Sequence, residues 1–469
     1  MTLVSDPKVL TSLPQSARSA TLTEPYVGPP VILLHGWNGS SESLRGVANW
    51  LRQQGVDSVD IHLGDYLSLN DELTLRDLGF AFRRALAAKN ISQDRHSFNL
   101  VVHSTGGLVA REYLRQVCDG DVEKTPIQHL CMLAPANFGS PLAKIGKSMR
   151  GRLFFGWGWD HLGETGTRIL NCLELASPYT WELAEDDLFD ARFPVFSPEN
   201  TLLTVMVGTN GYTGPRSIVN ENGSDGTVRV STANLNAHLF RFDLAEPTQP
   251  TLTEVKRNFD KAAFAVFHRT HGSILDPTIA NQQPLWTDTL WKALTIGSQQ
   301  YPDHIRACDA IAAQTFQEGL AANTNPDWYH KYMHVVFRVQ DQYGQPVTDY
   351  FVEFYQEEGD PMDIIFQKIH AEILEKATTN EIDPSYRSLL FDCSDLTDYL
   401  DSSTEADVKM SLGAVAVSTR IGYRNPPNVP SAGVNVFSSQ RRIFLIPNEP
   451  VLVDVRLYRD PSSNVFVLS

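Results

Sequence analysis

The sequence predicts an α/β protein: a mostly parallel sheet covered by helices on both faces, followed by a mainly β, sandwich-like C-terminal domain. Three observations predict it. Short apolar runs at 31–34, 98–102, 130–133 and 202–207 alternate with segments of helical period. A serine, Ser104, stands where one such strand meets the next helix. After Tyr329 the rhythm changes to strand-like segments separated by turn residues.

The chain has 469 residues, more than one ordinary core accommodates. Two domains are expected, at 1–327 and 328–469. The net charge is 39 − 55 = −16, which disfavours a nucleic-acid backbone as partner. A neutral substrate fits better. Five scattered cysteines have no metal-type spacing, suggest no disulfide framework and read as buried thiols. The first 22 residues carry an early Asp6 and no apolar core of a signal peptide. No run of about 18 apolar residues occurs, so no transmembrane segment is expected. The expected location is the cytoplasm, with export that needs no cleaved signal as the alternative.

Taken in order, residues 1–28 read as a surface arm. The run 31–34 is apolar on both faces, as a buried parallel strand requires. It leads into His35-Gly36-Trp37, and Ser40 or Ser41 can cap a helix over about 42–53. A strand at 56–61 and a helix at 73–88 follow. The strand 98–102 then delivers Ser104 to a helix with Leu108, Val109, Tyr113 and Leu114 on its apolar side and Arg111, Glu112 and Arg115 on its polar side. Strands at 130–133 and 202–207 complete the series.

Residues 141–200 interrupt it. The segment is too long for a simple crossover and is rich in aromatic residues, among them Phe154, Phe155, Trp157, Trp159, Tyr179 and Trp181. It is expected to be a lid or cap over an acyl-binding cleft, or an added helical layer. Residues 284–321 read as helical. Beyond them, strands are expected at 333–339, 350–355, 413–421, 433–437, 441–446 and 451–458. These should be antiparallel, with one helix at about 361–377.

A serine at a sharp strand-to-helix turn has the geometry of a nucleophile elbow. The five residues here are Val102, His103, Ser104, Thr105 and Gly106, with a β-branched residue where glycine is usual. Serine needs a base, and the base needs an orienting group. The leading acid is Asp225, in the tight turn Gly223-Ser224-Asp225-Gly226, with Asp243 and Asp260 as alternatives. The leading base is His271 on a loop tip, with His268 and His238 behind it. His35 and His103 flank the site in orienting positions. Thr105 and Trp37 offer backbone N–H groups for an oxyanion.

Four segments together carry a resemblance: His35-Gly36-Trp37, Val102 to Gly107, Ala136-Asn137-Phe138-Gly139-Ser140-Pro141 and Ser224 to Val228. Over about residues 28–300 the chain resembles the α/β-hydrolase superfamily, and within it lipases and other carboxylester hydrolases. The resemblance implies Ser104 as nucleophile, Asp225 as acid, His271 as base, and Trp37 and Thr105 as oxyanion donors. It implies hydrolysis of an apolar acyl ester through an acyl-enzyme, with a lipase or long-chain esterase first, a mechanism that needs no metal or organic cofactor. A catalytically silent hydrolase fold is the alternative. In a third reading the C-terminal domain leads, docking the chain to a lipid surface or a polymer.

Overall fold

The structure is a computed structural model, and it describes residues 25–35, 44–61, 71–147, 166–244, 250–279, 282–322, 325–356, 364–402, 408–415, 421–423, 434–437 and 445–461. The arm at 1–24, the segment 36–43 with Trp37, and the aromatic stretch 148–165 lie outside the described residues.

Strands β1 (Val31–Leu34), β2 (Ser58–Ile61), β3 (Phe98–His103), β4 (Ile127–Leu133) and β5 (Leu202–Gly208) belong to one sheet. The chain then leaves that sheet for β6 (His238–Leu244) and β7 (Thr251–Val255), and returns with β8 (Ala263–Phe267). The sheet has the order β2-β1-β3-β4-β5-β8, and every neighbouring pair is parallel.

The apolar strand runs follow from that arrangement. Alternate side chains along each strand enter opposite cores. Ile32, Leu34, Leu100 and Val102 pack with the helices Leu75–Ala88 and Gly106–Cys118. Val31, Leu33 and Val101 pack with the helices Arg45–Gln53 and Gln283–Thr295. Each fully buried aliphatic side chain contributes about 1.5–3 kcal/mol. The Leu75–Ala88 helix starts at a capping box, in which Thr74 and Asp77 satisfy each other's backbone N–H. No helix among the described residues is long and apolar enough to cross a membrane.

The expected polar side of the Gly106–Cys118 helix is not exposed. Arg111 and Glu112 are buried, beneath the helices Thr167–Leu173 and Pro178–Ala184 and the π-turn Glu185–Phe189. Glu112 accepts from the Tyr179 hydroxyl, and Arg111 pairs with Asp187. The described part of the 141–200 insertion is thus a packed layer. Leu173, Leu183, Leu188 and Trp181 belong to its core.

The second region is β-rich. It comprises β9 (Tyr332–Asp341), β10 (Tyr350–Tyr355), β11 (Leu374–Thr379), β12 (Tyr386–Asp392), β13 (Val408–Ala414), β14 (Ile421–Tyr423), β15 (Val434–Phe437), β16 (Pro450–Leu457) and β17 (Arg459–Pro461). A six-stranded sheet, β11-β12-β9-β16-β6-β7, and a three-stranded sheet, β10-β13-β15, share one hydrophobic cluster; β14 pairs with β17. Two details depart from the sequence expectation. β16 runs parallel to both β9 and β6, so the large sheet is mixed rather than antiparallel. The β6–β7 hairpin, from before residue 327, completes that sheet. Within the described residues, the helix expected over 361–377 comprises Ile364–Lys368 and a π-turn to Ile373 before β11 begins. Pairing of Lys376–Thr379 with β12 overrides the helical period there. Of the strand expected at 441–446, residues 441–444 lie outside the described residues, and 445–446 are not in a strand.

Candidate active site

The strand order reverses direction between β1 and β3. A crevice forms beyond the carboxyl ends of parallel strands at such a switch point, where ligands of open α/β sheets bind. Ser104 lies there, directly after β3.

Its backbone is strained. Ser104 has φ of 55°, in the left-handed region, which costs a non-glycine residue about 1–3 kcal/mol. The conformation is held by Ser104 N–H donating to Leu133 O at 3.1 Å and by Gly107 N–H donating to Ser104 O at 3.0 Å. The crowding of the elbow falls on Gly106. A Cβ there would lie 3.2 Å from Leu34 O and 3.3 Å from the Val102 Cβ. Val102 is fully buried against this glycine, so the elbow accommodates the β-branched residue.

The acid turn follows β5. Gly223 (φ 66°) and Gly226 (φ 90°) both need the left-handed region, which glycine enters without steric cost. Asp225 is fully buried. Its Oδ1 accepts from Thr227 N–H at 2.9 Å and Val228 N–H at 2.7 Å. Its Oδ2 lies 2.9 Å from His271 Nδ1.

His271 comes from the loop after β8, and its Nε2 lies 3.1 Å from Ser104 Oγ. With Nδ1–H directed at the carboxylate, Nε2 is left to accept the serine proton. The main chain is held too: His271 N–H donates to Asp225 O at 2.9 Å. The His271 carbonyl lies 3.1 Å from His103 Nε2. Two residues upstream, the buried Arg269 guanidinium donates to the carbonyls of Ser273 (3.1 Å), Asp276 (2.5 Å) and Ile279 (3.3 Å), and it packs on the Trp286 ring. Burial pushes the Arg269 pKa down, and Asp276 partly offsets that shift.

The structure thus brings Ser104, His271 and Asp225 into one hydrogen-bonded chain. Thr105 precedes the first residue of the Gly106–Cys118 helix, so its N–H lies at a helix N-terminus, where developing negative charge is favoured. Trp37, the other expected oxyanion donor, lies outside the described residues; His35 before it is buried, with Nε2 3.4 Å from Asp60 Oδ1. The alternative acids and bases lie elsewhere. Asp243 is on β6 in the second sheet, 3.8 Å from Arg456. Asp260 offers its carbonyl to Arg257. His268 pairs with Glu318, and His238 with Glu254 and Glu449.

Arg111, Asp187 and Arg269 were not singled out from the sequence. Arg111 reads as a surface residue until its covering layer is known, and Arg269 carries only the weak signal of a cation two residues from the base. Among the described residues, one group has metal-ligand geometry: single ligand atoms of His330, Asp392 and Asp395 lie within 4.8 Å of one another. His330 lies just before β9, and Asp392, at the end of β12, is already engaged. Its Oδ1 caps the following helix through Ser394 and Asp395 N–H, and its Oδ2 takes His330 Nδ1 at 2.7 Å. The five cysteines are free, four of them buried.

No family model matches the chain, and no curated protein matches it in sequence. Among solved structures it is similar to phospholipase PlaB from Legionella pneumophila, at 23% identity and a TM-score of 0.74, over 94% of this chain and 96% of that one. PlaB in complex with thio-NAD matches with the same values. A lipase, BlEst2 from Bacillus licheniformis in its mature form, matches at 17% identity over 57% of this chain and 93% of that one, with a TM-score of only 0.35. The likeness to PlaB covers nearly all of both chains, so it extends through both the parallel sheet and the β-rich region, and it shows a shared fold.

Proposed function

We propose that the protein is a serine hydrolase that cleaves carboxylic esters through an acyl-enzyme, with Ser104 as nucleophile, His271 as general base and acid, and Asp225 as orienting acid. The observation that carries this reading is the unbroken chain from Ser104 Oγ to His271 to the buried Asp225 carboxylate. It starts from a strained elbow at the sheet's switch point.

The reaction has two halves. His271 Nε2 takes the Ser104 proton as Oγ attacks the ester carbonyl. Asp225 holds the imidazole in the required tautomer and stabilises it while it is charged. The Thr105 N–H, with Trp37 N–H as the proposed second donor, stabilises the tetrahedral oxygen. The imidazolium then protonates the departing alcohol. Water, deprotonated by His271, attacks the acyl-enzyme and releases the acid and Ser104. A lipid acyl ester is the proposed substrate, as triacylglycerol or phospholipid. It is supported by the fold shared with a phospholipase and by the aromatic composition of the 141–200 segment, which favours an apolar acyl chain.

The test is hydrolysis of p-nitrophenyl esters of rising acyl length, and of phospholipid, by wild type and Ser104→Ala. Turnover by wild type that is lost in the variant is expected, with an optimum at long acyl chains. Equal activity in the two proteins would overturn the assignment of Ser104. No turnover by folded wild type would overturn the ester-hydrolase reading.

A further inference from the structure

His271 is held at both of its main-chain polar groups as well as at its ring. Asp225 O takes its N–H. Its carbonyl faces the imidazole of His103, the residue immediately before the nucleophile, with Nε2 at 3.1 Å. The two rings are 4.7 Å apart at their centroids, tilted by 45°.

A carbonyl oxygen only accepts, so this contact is a hydrogen bond only if His103 carries a proton on Nε2. We infer that His103 is a positioning residue for the base, in which a neutral imidazole protonated on Nε2 donates to the His271 carbonyl and holds the base loop against the nucleophile strand. The inference rests on the serine-hydrolase reading. Burial and the neighbouring His271, with a smaller effect from His35, hold the His103 pKa well below the ordinary imidazole value against the opposing effect of the hydrogen bond to the His271 carbonyl. A neutral ring suits the place, because the mechanism asks His271 to become cationic beside it. Ser104 and His103 leave β3 together, so one strand end sets both the nucleophile and the clamp on its base. Misplacement of a reacting group by about 1 Å costs up to about 100-fold in rate, which is the scale on which such a clamp acts.

The variants are His103→Phe, which keeps a ring and loses the donor, and His103→Gln, whose amide nitrogen reaches as far as Nε2. On an ester that wild type turns over, His103→Phe should lower kcat about 10- to 100-fold at little-changed KM, and His103→Gln should restore it to within about threefold. Wild-type kcat in His103→Phe would overturn the inference. Equal loss in both variants would do so as well, because ring packing rather than the donor would then matter. A second readout needs no turnover and separates failure of the clamp from failure of the hydrolase reading. In ¹⁵N-histidine-labelled wild type, the long-range ¹H–¹⁵N spectrum should show His103 neutral at pH 7 with its proton on Nε2. A proton on Nδ1, or an imidazolium, would overturn it.

Discussion

Arg111 and Asp187 form a two-pronged ion pair with both side chains out of solvent, at 2.7 Å from Nε and 2.8 Å from Nη2. Arg111 also donates to Asn137 O at 3.2 Å and lies over the Phe138 ring. The pair joins the helix that follows Ser104 to the π-turn of the insertion and to the loop after β4. Taking one partner away strands a buried charge. Arg111→Met and Asp187→Asn should each cost about 3–5 kcal/mol. Replacing both with apolar residues of similar volume should cost less than the sum of the singles, because no orphan charge remains. Chemical denaturation of the four proteins checks this. Additive losses would mean that the two side chains act independently.

Much of the parallel-sheet region was legible in the sequence for a simple reason. A parallel strand buried on both faces has to be apolar throughout, so β1, β4 and β5 announce themselves. Asp225 and His271 stand out in the sequence because each sits beside glycine in a turn after a strand. The insertion was harder. Arg111 and Glu112 look like solvent-facing helix residues, and only the layer above them reveals burial. The second region was hardest, because β6 and β7 are separated from β16 by some 200 residues of chain, and local pattern does not encode such pairing. The helix expected over 361–377 failed for the same reason, since β11 exists through its partner β12.

Asp225 can be tested without disturbing its turn. Asp225→Asn keeps an oxygen for the Thr227 and Val228 N–H groups, so the turn should persist. The new amide cannot accept from Nδ1–H and would favour the wrong imidazole tautomer. With ester substrate, kcat should fall about 10,000-fold while the fold survives. Near-wild-type kcat in a folded Asp225→Asn protein would remove Asp225 from the proposed triad.

His330 predicts a pH dependence of stability. Its hydrogen bond to Asp392 is the largest influence on its pKa and raises it above the ordinary 6.5, with Asp395 and Asp327 adding to the effect against burial. The folded state therefore holds this proton more tightly than the unfolded one. The stabilisation is fully present below pH 6.5, and it is lost as pH rises through the raised folded value. Thermal midpoints of wild type should fall across that interval relative to His330→Gln, which cannot titrate. Parallel curves for the two proteins would contradict the assignment.

The acid turn is clamped from the β-rich region. Trp328 donates its indole N–H to Thr209 O at 2.6 Å, and its carbonyl accepts from Gly223 N–H at 3.2 Å. Tyr329 donates its hydroxyl to Asn210 Oδ1 at 2.9 Å. The Tyr332 ring packs on Gly223 so closely that an added Cβ would fall 2.2 Å from it. Gly223→Ala therefore suffers twice, from the ring and from φ of 66°. Relieving the ring clash requires the turn that carries Asp225 to shift. Gly223→Ala should lower kcat about tenfold or more, on the scale of a misplaced catalytic group, and should also lower stability. Tyr332→Ala combined with Gly223→Ala removes the steric contact but not the backbone strain. It should recover part of kcat while stability stays low, since a large buried ring has been lost. Measuring both quantities on the single and double variants separates the two causes. If kcat in Gly223→Ala stays at the wild-type value while stability drops, the clamp supports the fold without setting the position of Asp225.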